Sequence, residues 1–241
     1  MEAYCEKENT YRGWGVFCIV YNCFLIYVNI YSHATDKAEE YLEDSRMVKV
    51  ESVKTGYFFD GPGEDSAFVF YPGGKVEHTA YAPLMHMLAE KGIDCFLVKM
   101  PFRLAVFGMN KAGKILENYD YENWYIGGHS LGGAMASAYA SKNHNDFEGV
   151  ILLGAYSTKI LDYENMRVLS VYGSNDNVLN IDKYTECVNN LPAGFTELVI
   201  DGGNHAGFGD YGQQKGDGNA TISHEEQWNI TVNAIINFVN R

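Results

Sequence analysis

Ser130 sits inside Gly127-Gly128-His129-Ser130-Leu131-Gly132-Gly133, the stretch whose residue types and spacing point most directly to chemistry. Gly-x-Ser-x-Gly makes a sharp strand-to-helix turn that presents a serine hydroxyl as a nucleophile. The residues two before and two after the serine must be small, because the incoming strand and outgoing helix nearly touch. Gly128 and Gly132 meet that need. Trp124-Tyr125-Ile126 reads as a short buried strand, and the Ala-rich run from Leu131 to His144 reads as a helix. The plain alternative is a glycine-rich turn with an incidental serine.

A serine hydroxyl is a weak nucleophile at neutral pH and needs a base, itself oriented by an acid. With this turn the chain order is Ser, then Asp or Glu, then His, both partners lying just past strand ends. Val168 to Tyr172 reads as a buried strand, followed by the turn residues Gly173-Ser174-Asn175-Asp176-Asn177. Asp176 is therefore the candidate acid. Thr196 to Ile200 reads as the last strand and runs into Asp201-Gly202-Gly203-Asn204-His205, which makes His205 the candidate base. Asp201 ranks second as the acid because it ends a strand ahead of a glycine pair, and Glu197 lies within the strand. His129 can line the site but cannot easily act on its own neighbour. His78, His86 and His224 fall on or near predicted helices, and His33 and His144 read as surface positions.

The reaction also needs two backbone N–H groups aimed at the oxygen that becomes negative. The residue after the serine, Leu131, supplies one from the start of a helix, where N–H groups lack partners. The other is expected from Pro72-Gly73-Gly74-Lys75-Val76, the loop after the strand Ser66 to Tyr71. Gly74 is the preferred donor and Lys75 the alternative. An ordinary Gly-Gly turn is the plain reading. The loop lacks the G-x-x-x-x-G-K-[ST] pattern of a phosphate cradle.

These parts need a frame that brings strand ends together. After residue 45 the pattern reads as strands at 48–53, 56–59, 66–71, 93–100, 124–128, 149–154, 168–172 and 196–200. Helices are expected at 79–91, about 104–118, 131–144, 181–190 and 222–239. Alternating strands and helices imply an α/β fold with a mostly parallel sheet covered on both faces. Functional residues then gather at the carboxyl ends of the strands. Only about a dozen residues separate Gly154 from Val168, too few for a helical cap domain. An open, shallow site for short or exposed esters is the expectation.

The segments YPGGKVEHTAYAPL, VKMPFRLAVF, GGHSLGGAMA, VYGSNDNV and GGNHAGFGDYGQQKGDG together resemble the alpha/beta-hydrolase superfamily, and within it the alpha/beta hydrolase fold-5 domain. The resemblance runs from residue 66 to about 220. It implies a serine hydrolase with the alpha/beta-hydrolase fold and no cofactor. By position it assigns catalysis to Ser130, Asp176 and His205, with backbone donors at Leu131 and Gly74. Pro72 stands where the family often has His, a departure that bears on the second donor. The expected activity is carboxylesterase-type cleavage of a small-molecule ester. Dienelactone-hydrolase-like or thioesterase activity is the alternative within the class, and a catalytically silent binding domain on the same fold is the alternative outside it.

The rest of the sequence bounds the setting. With 18 Lys and Arg against 31 Asp and Glu, the formal net charge is −13, which opposes nucleic-acid binding, and no strong basic patch is visible. Residues 13–32 carry no charge and are long enough to span a bilayer core of ~30 Å at ~1.5 Å per residue. The organisation expected is therefore a tail at 1–12, a transmembrane anchor at 13–32, a charged stalk at 33–45 and the catalytic domain at 46–241. Arg12 next to the anchor favours an extracytoplasmic domain. A cleaved signal peptide, leaving a secreted protein, and a helix packed on the domain are the alternatives. Cys95 and Cys187 read as unpaired thiols, and no C-x-x-C or H-E-x-x-H metal pattern occurs. The glycine-rich run after His205 reads as a loop that fixes the base. A substrate-lining role for Phe208 and Tyr211, or a calcium site at Asp210 and Asp217, are its sharper readings.

Overall fold

A computed structural model describes residues 20–241 of the chain. The chain divides into two units at Tyr31 and Ser32. In the first, residues 20–29 are helical. Residues 13–19 of the expected anchor lie outside the described residues, and among the described residues no helix is long and apolar enough to cross a membrane.

The second unit is built on eight strands: β1 (Lys49–Val53), β2 (Gly56–Asp60), β3 (Ser66–Tyr71), β4 (Asp94–Val98), β5 (Asn123–His129), β6 (Gly149–Leu153), β7 (Arg167–Gly173) and β8 (Thr196–Ile200). They lie in the order β1-β2-β4-β3-β5-β6-β7-β8. β2 pairs antiparallel with β1 and β4, and every other pairing is parallel. The central strands are apolar on both faces, as a sheet covered by helices on both sides requires. β3 shows the two-residue period: Phe68 and Phe70 join one core, while Ala67, Val69 and Tyr71 join the other.

Helices α2 (Ala82–Ala89) and α6 (His224–Val239) cover the first face through Leu84, Met85, Leu88, Trp228, Val232 and Ile235. Helices α3 (Lys111–Leu116) and α4 (Leu131–Lys142) cover the second through Ala112, Ile115, Ala136, Tyr139 and Ala140. Helix α5 (Ile181–Cys187) leads to β8, capped by the Asn180 side chain on the Lys183 N–H. Cys95 and Cys187 are unpaired. The connection from β6 to β7, residues 154–166, contains no helix.

Two segments depart from the sequence reading. The helix expected at 104–118 is replaced by 3-10 turns at Pro101–Arg103 and Ala105–Phe107 and the short α3. Phe102 (φ 53°) and Arg103 (φ 57°) turn left-handed here, and Gly108 packs so tightly that a Cβ would come within 2.7 Å of the Met100 sulfur. The segment 33–45 is not a free stalk. It forms α1 (Asp36–Glu40) and packs on the domain, with Ala38 fully buried and Ala34, Tyr41 and Leu42 against the core. Those four positions are apolar residues hidden among charges, one in the helix and three on its flanks. Thr35 donates its N–H to the Asp210 carbonyl at 3.0 Å and its hydroxyl to the Asp210 carboxylate at 2.7 Å. Ser32 is laid parallel beside Val76, giving its N–H to Lys75 O at 2.9 Å and accepting from Glu77 N–H at 2.8 Å. The compact domain thus starts at Ser32.

Candidate active site

β5 ends at His129, α4 begins at Leu131, and Ser130 between them has φ 52° and ψ −123°. A non-glycine residue held there is strained, the kind of local cost that gathers at functional positions. The turn is as tight as the motif demands. A Cβ on Gly128 would lie 2.2 Å from the Tyr71 carbonyl oxygen, and one on Gly132 would lie 2.1 Å from that oxygen and 2.4 Å from that of Pro72.

Asp176 follows β7 in the turn after Gly173. Its Oδ1 accepts the N–H groups of Val178 at 2.9 Å and Leu179 at 2.8 Å, which fixes the carboxylate. Its Oδ2 lies 2.7 Å from His205 Nδ1, and both side chains are 1% exposed. The other ring nitrogen, His205 Nε2, has no hydrogen-bond partner. Ser130 and His205 line one cleft of about 350 Å³, with Leu131, Met135, Ala155, Tyr156, Val178 and Leu179 among its walls. No hydrogen bond joins the Ser130 hydroxyl to His205 here; such contacts commonly tighten only when substrate is bound.

The loop after β3 comes up against Leu131 of this cleft at Gly74, where an added Cβ would stand 2.9 Å from the Leu131 Cδ2. Along the loop, Gly73 donates its N–H to the Tyr81 hydroxyl at 3.2 Å, Lys75 to Arg103 O at 2.9 Å and Val76 to Gly73 O at 3.4 Å. The Gly74 N–H has no acceptor among the described residues, so of the two donors the sequence offered, only Gly74 remains unoccupied.

A model of the alpha/beta hydrolase family matches residues 67–229. The chain belongs to the alpha/beta hydrolase family. Solved structures with the same fold include dienelactone hydrolase from Anabaena variabilis, 10% identical over 80% of this chain and 100% of that one, with a TM-score of 0.58. Carboxyl esterase 2 from Tuber melanosporum is 11% identical over 87% and 91% of the two chains, at 0.56, and Est1E from Butyrivibrio proteoclasticus is 11% identical over 81% and 100%, at 0.54. No curated protein matches the chain by sequence.

In this alpha/beta hydrolase the rival acids stand apart from His205. Asp201 is exposed and near the Ser174 hydroxyl at 3.5 Å, and Glu197 accepts from Tyr184 OH at 2.5 Å. His129 does not line the cleft but packs beneath the base, 1% exposed, with its ring 4.3 Å from that of His205. Its Nδ1 is 2.8 Å from Tyr81 OH. Burial, and then the nearness of His205, hold its pKa well below the usual imidazole range. A neutral ring there adds no charge beside His205. Phe208 and Tyr211 are core residues rather than walls of the cleft, a correction to the substrate-lining reading. Asp210 is engaged by Thr35, and Asp217 is turned onto backbone N–H groups, accepting from Ala206 and Gly218 at 2.8 Å and Asn177 at 3.3 Å.

Asp217 therefore ties the loop of His205 to the loop of Asp176, a role the sequence reading missed. Gln227 was also missed. From α6 it accepts the Asn204 N–H at 3.1 Å and donates to Asn204 O at 2.8 Å, clamping the residue before His205. Its signal was a polar residue beside Trp228 on a face that has to be buried. Gly154, with φ 51°, is the third: a Cβ there would come 3.0 Å from His205 Nδ1 and 3.2 Å from Asp176 Oδ2.

Proposed function

We propose that this alpha/beta hydrolase is a serine esterase acting on small or exposed carboxylic esters. Ser130 Oγ attacks the ester carbonyl while His205 Nε2 takes its proton, and Asp176 steadies the resulting imidazolium. The N–H groups of Leu131 and Gly74 stabilise the tetrahedral oxyanion. The C–O bond to the alcohol then breaks, and the alcohol leaves with the proton held by His205. Water, deprotonated by the same ring, attacks the acyl-serine and releases the acid. The observation that carries this reading is the buried His205–Asp176 contact of 2.7 Å, with a partnerless Nε2 at a cleft shared with the strained Ser130. The mostly apolar walls of that cleft suit a short acyl group.

A fluorophosphonate probe tests the nucleophile. Wild type is expected to be labelled and Ser130→Ala is not, while esterase turnover falls by several orders of magnitude in the variant, because the three side chains act as a unit. Labelling of the variant, or none of a folded wild type, would reject the mechanism. An ester, thioester and lactone panel then separates carboxylesterase from thioesterase and dienelactone-hydrolase-like activity.

A further inference from the structure

Between Asp94 and Glu117 the chain carries Lys99, Arg103, Lys111 and Lys114 and no acidic residue, within a sequence of formal net charge −13. Spread along the chain, these residues do not read as a basic patch. The fold gathers Lys99, Arg103 and Lys111 around one cavity of about 410 Å³, which Pro72, Val76, Glu77 and His78 also line. Glu77 is the lone carboxylate among the described lining residues, and it is already engaged: its Oε2 accepts the Ala34 N–H and meets His33 Nδ1, each at 3.2 Å. Lys111 Nζ donates to the Lys99 carbonyl at 2.6 Å, which brings the ammonium to the Lys99 backbone and leaves two of its three protons to give.

The effect of this crowding is visible on the neighbours. Burial, then Lys99, pushes the His78 pKa down to about 4 against the opposing pull of Glu77, with Lys111 and Arg103 adding smaller pushes. Burial, Lys114 and Lys99 likewise lower that of Lys111. Cations focused in a concavity raise the local concentration of anions. Strained backbone collects at the same place: Lys75, Phe102 and Arg103 are non-glycine residues with φ of 59°, 53° and 57°, and Lys75 N–H is bonded to Arg103 O. Pro72 and Val76 belong to the loop that carries Gly74, and Gly74 packs against Leu131 of the candidate cleft.

We propose that this cavity is an anion subsite that takes a carboxylate or phosphate group, carried on the substrate or by a separate small molecule. The substrate form rests on the esterase reading above; the subsite itself does not.

The test titrates inorganic phosphate into the full-length protein by calorimetry, with wild type beside Lys99→Gln/Lys111→Gln and thermal melting recorded for each. Glutamine removes the charge and keeps a donor. Saturable binding by wild type is expected, weakened about tenfold or more in the double variant at unchanged melting temperature. Lys99→Gln alone, at an exposed side chain, carries the same comparison if the double variant fails to fold. Absence of saturable phosphate binding by wild type, or equal binding by wild type and variant, overturns the subsite. Nitrophenyl hemisuccinate and nitrophenyl acetate then identify the source of the anion. A drop of about tenfold in the hemisuccinate-to-acetate ratio of kcat/KM in the double variant puts the anion on the substrate. With phosphate binding retained by wild type, an unmoved ratio puts it on a separate molecule. If Ser130→Ala leaves both esters hydrolysed, the esterase reading fails while the phosphate titration still decides the subsite.

Discussion

Gly154 marks how little room surrounds the His205–Asp176 pair. Its φ of 51° favours glycine, and a methyl group there would press on both partners of the pair, at 3.0 and 3.2 Å. Alanine at a left-handed position costs roughly 1–2 kcal/mol in backbone energy alone. Gly154→Ala is therefore expected to keep the sheet, read by circular dichroism, while lowering the melting temperature and cutting kcat/KM by about tenfold or more. Wild-type turnover in that variant would mean that the pair has slack which the contacts do not suggest. The position also marks a limit of sequence reading at this scale. Ser130, Asp176 and His205 stand out in the sequence as candidates because each obeys a local rule: a glycine-framed turn, or a place just past a strand. Gly154 and Asp217 obey no local rule, and the polar signal at Gln227 does not say what it clamps. Their significance exists only once loops distant in sequence are side by side.

At the scale of elements, the strands buried on both faces were readable almost to the residue, since nothing but a covered sheet hides runs such as Ala67-Phe68-Val69-Phe70. The errors fell where polar residues or glycine disguise the pattern. In 33–45 the charges masked the apolar residues Ala34, Ala38, Tyr41 and Leu42. In 104–118 one helix was expected, but a 3-10 turn at Ala105–Phe107 ends at the tightly packed Gly108 and leaves only Lys111–Leu116 helical, after the left-handed Phe102 and Arg103. The connection at 154–166, which contains no helix, has a functional corollary. With no helix from that connection to fold over the cleft, a long acyl chain gains little apolar burial beyond the cleft walls, where each buried methylene is worth about 0.8 kcal/mol. Acetyl and butyryl esters are expected to be hydrolysed as efficiently as decanoyl esters or better, in a chain-length series of nitrophenyl esters. A steep rise in kcat/KM with chain length would overturn this.

At the scale of the whole molecule, the parallel strands deliver Ser130, Asp176 and His205 from the ends of β5, β7 and β8, so the site depends on the complete sheet. Ser32, the last residue of the expected anchor, belongs to the domain, and the uncharged run ahead of it, 13–31, supports a second proposal, that the domain is tethered to a membrane. The full chain is then expected to sediment with membranes and resist carbonate extraction, while residues 32–241 stay in the supernatant; a full chain found in the supernatant would reject the tether. Whatever holds the chain ahead of Ser32 has a defined first foothold on the domain. Ser32 is hydrogen-bonded into the loop that bears Gly74, and Thr35 into the loop that follows His205. A pull on the amino end thus enters the fold through the two loops that flank the candidate residues Ser130 and His205 in space or sequence. In mechanical terms, load on that end reaches the Gly74 loop and the loop after His205 before it reaches the sheet.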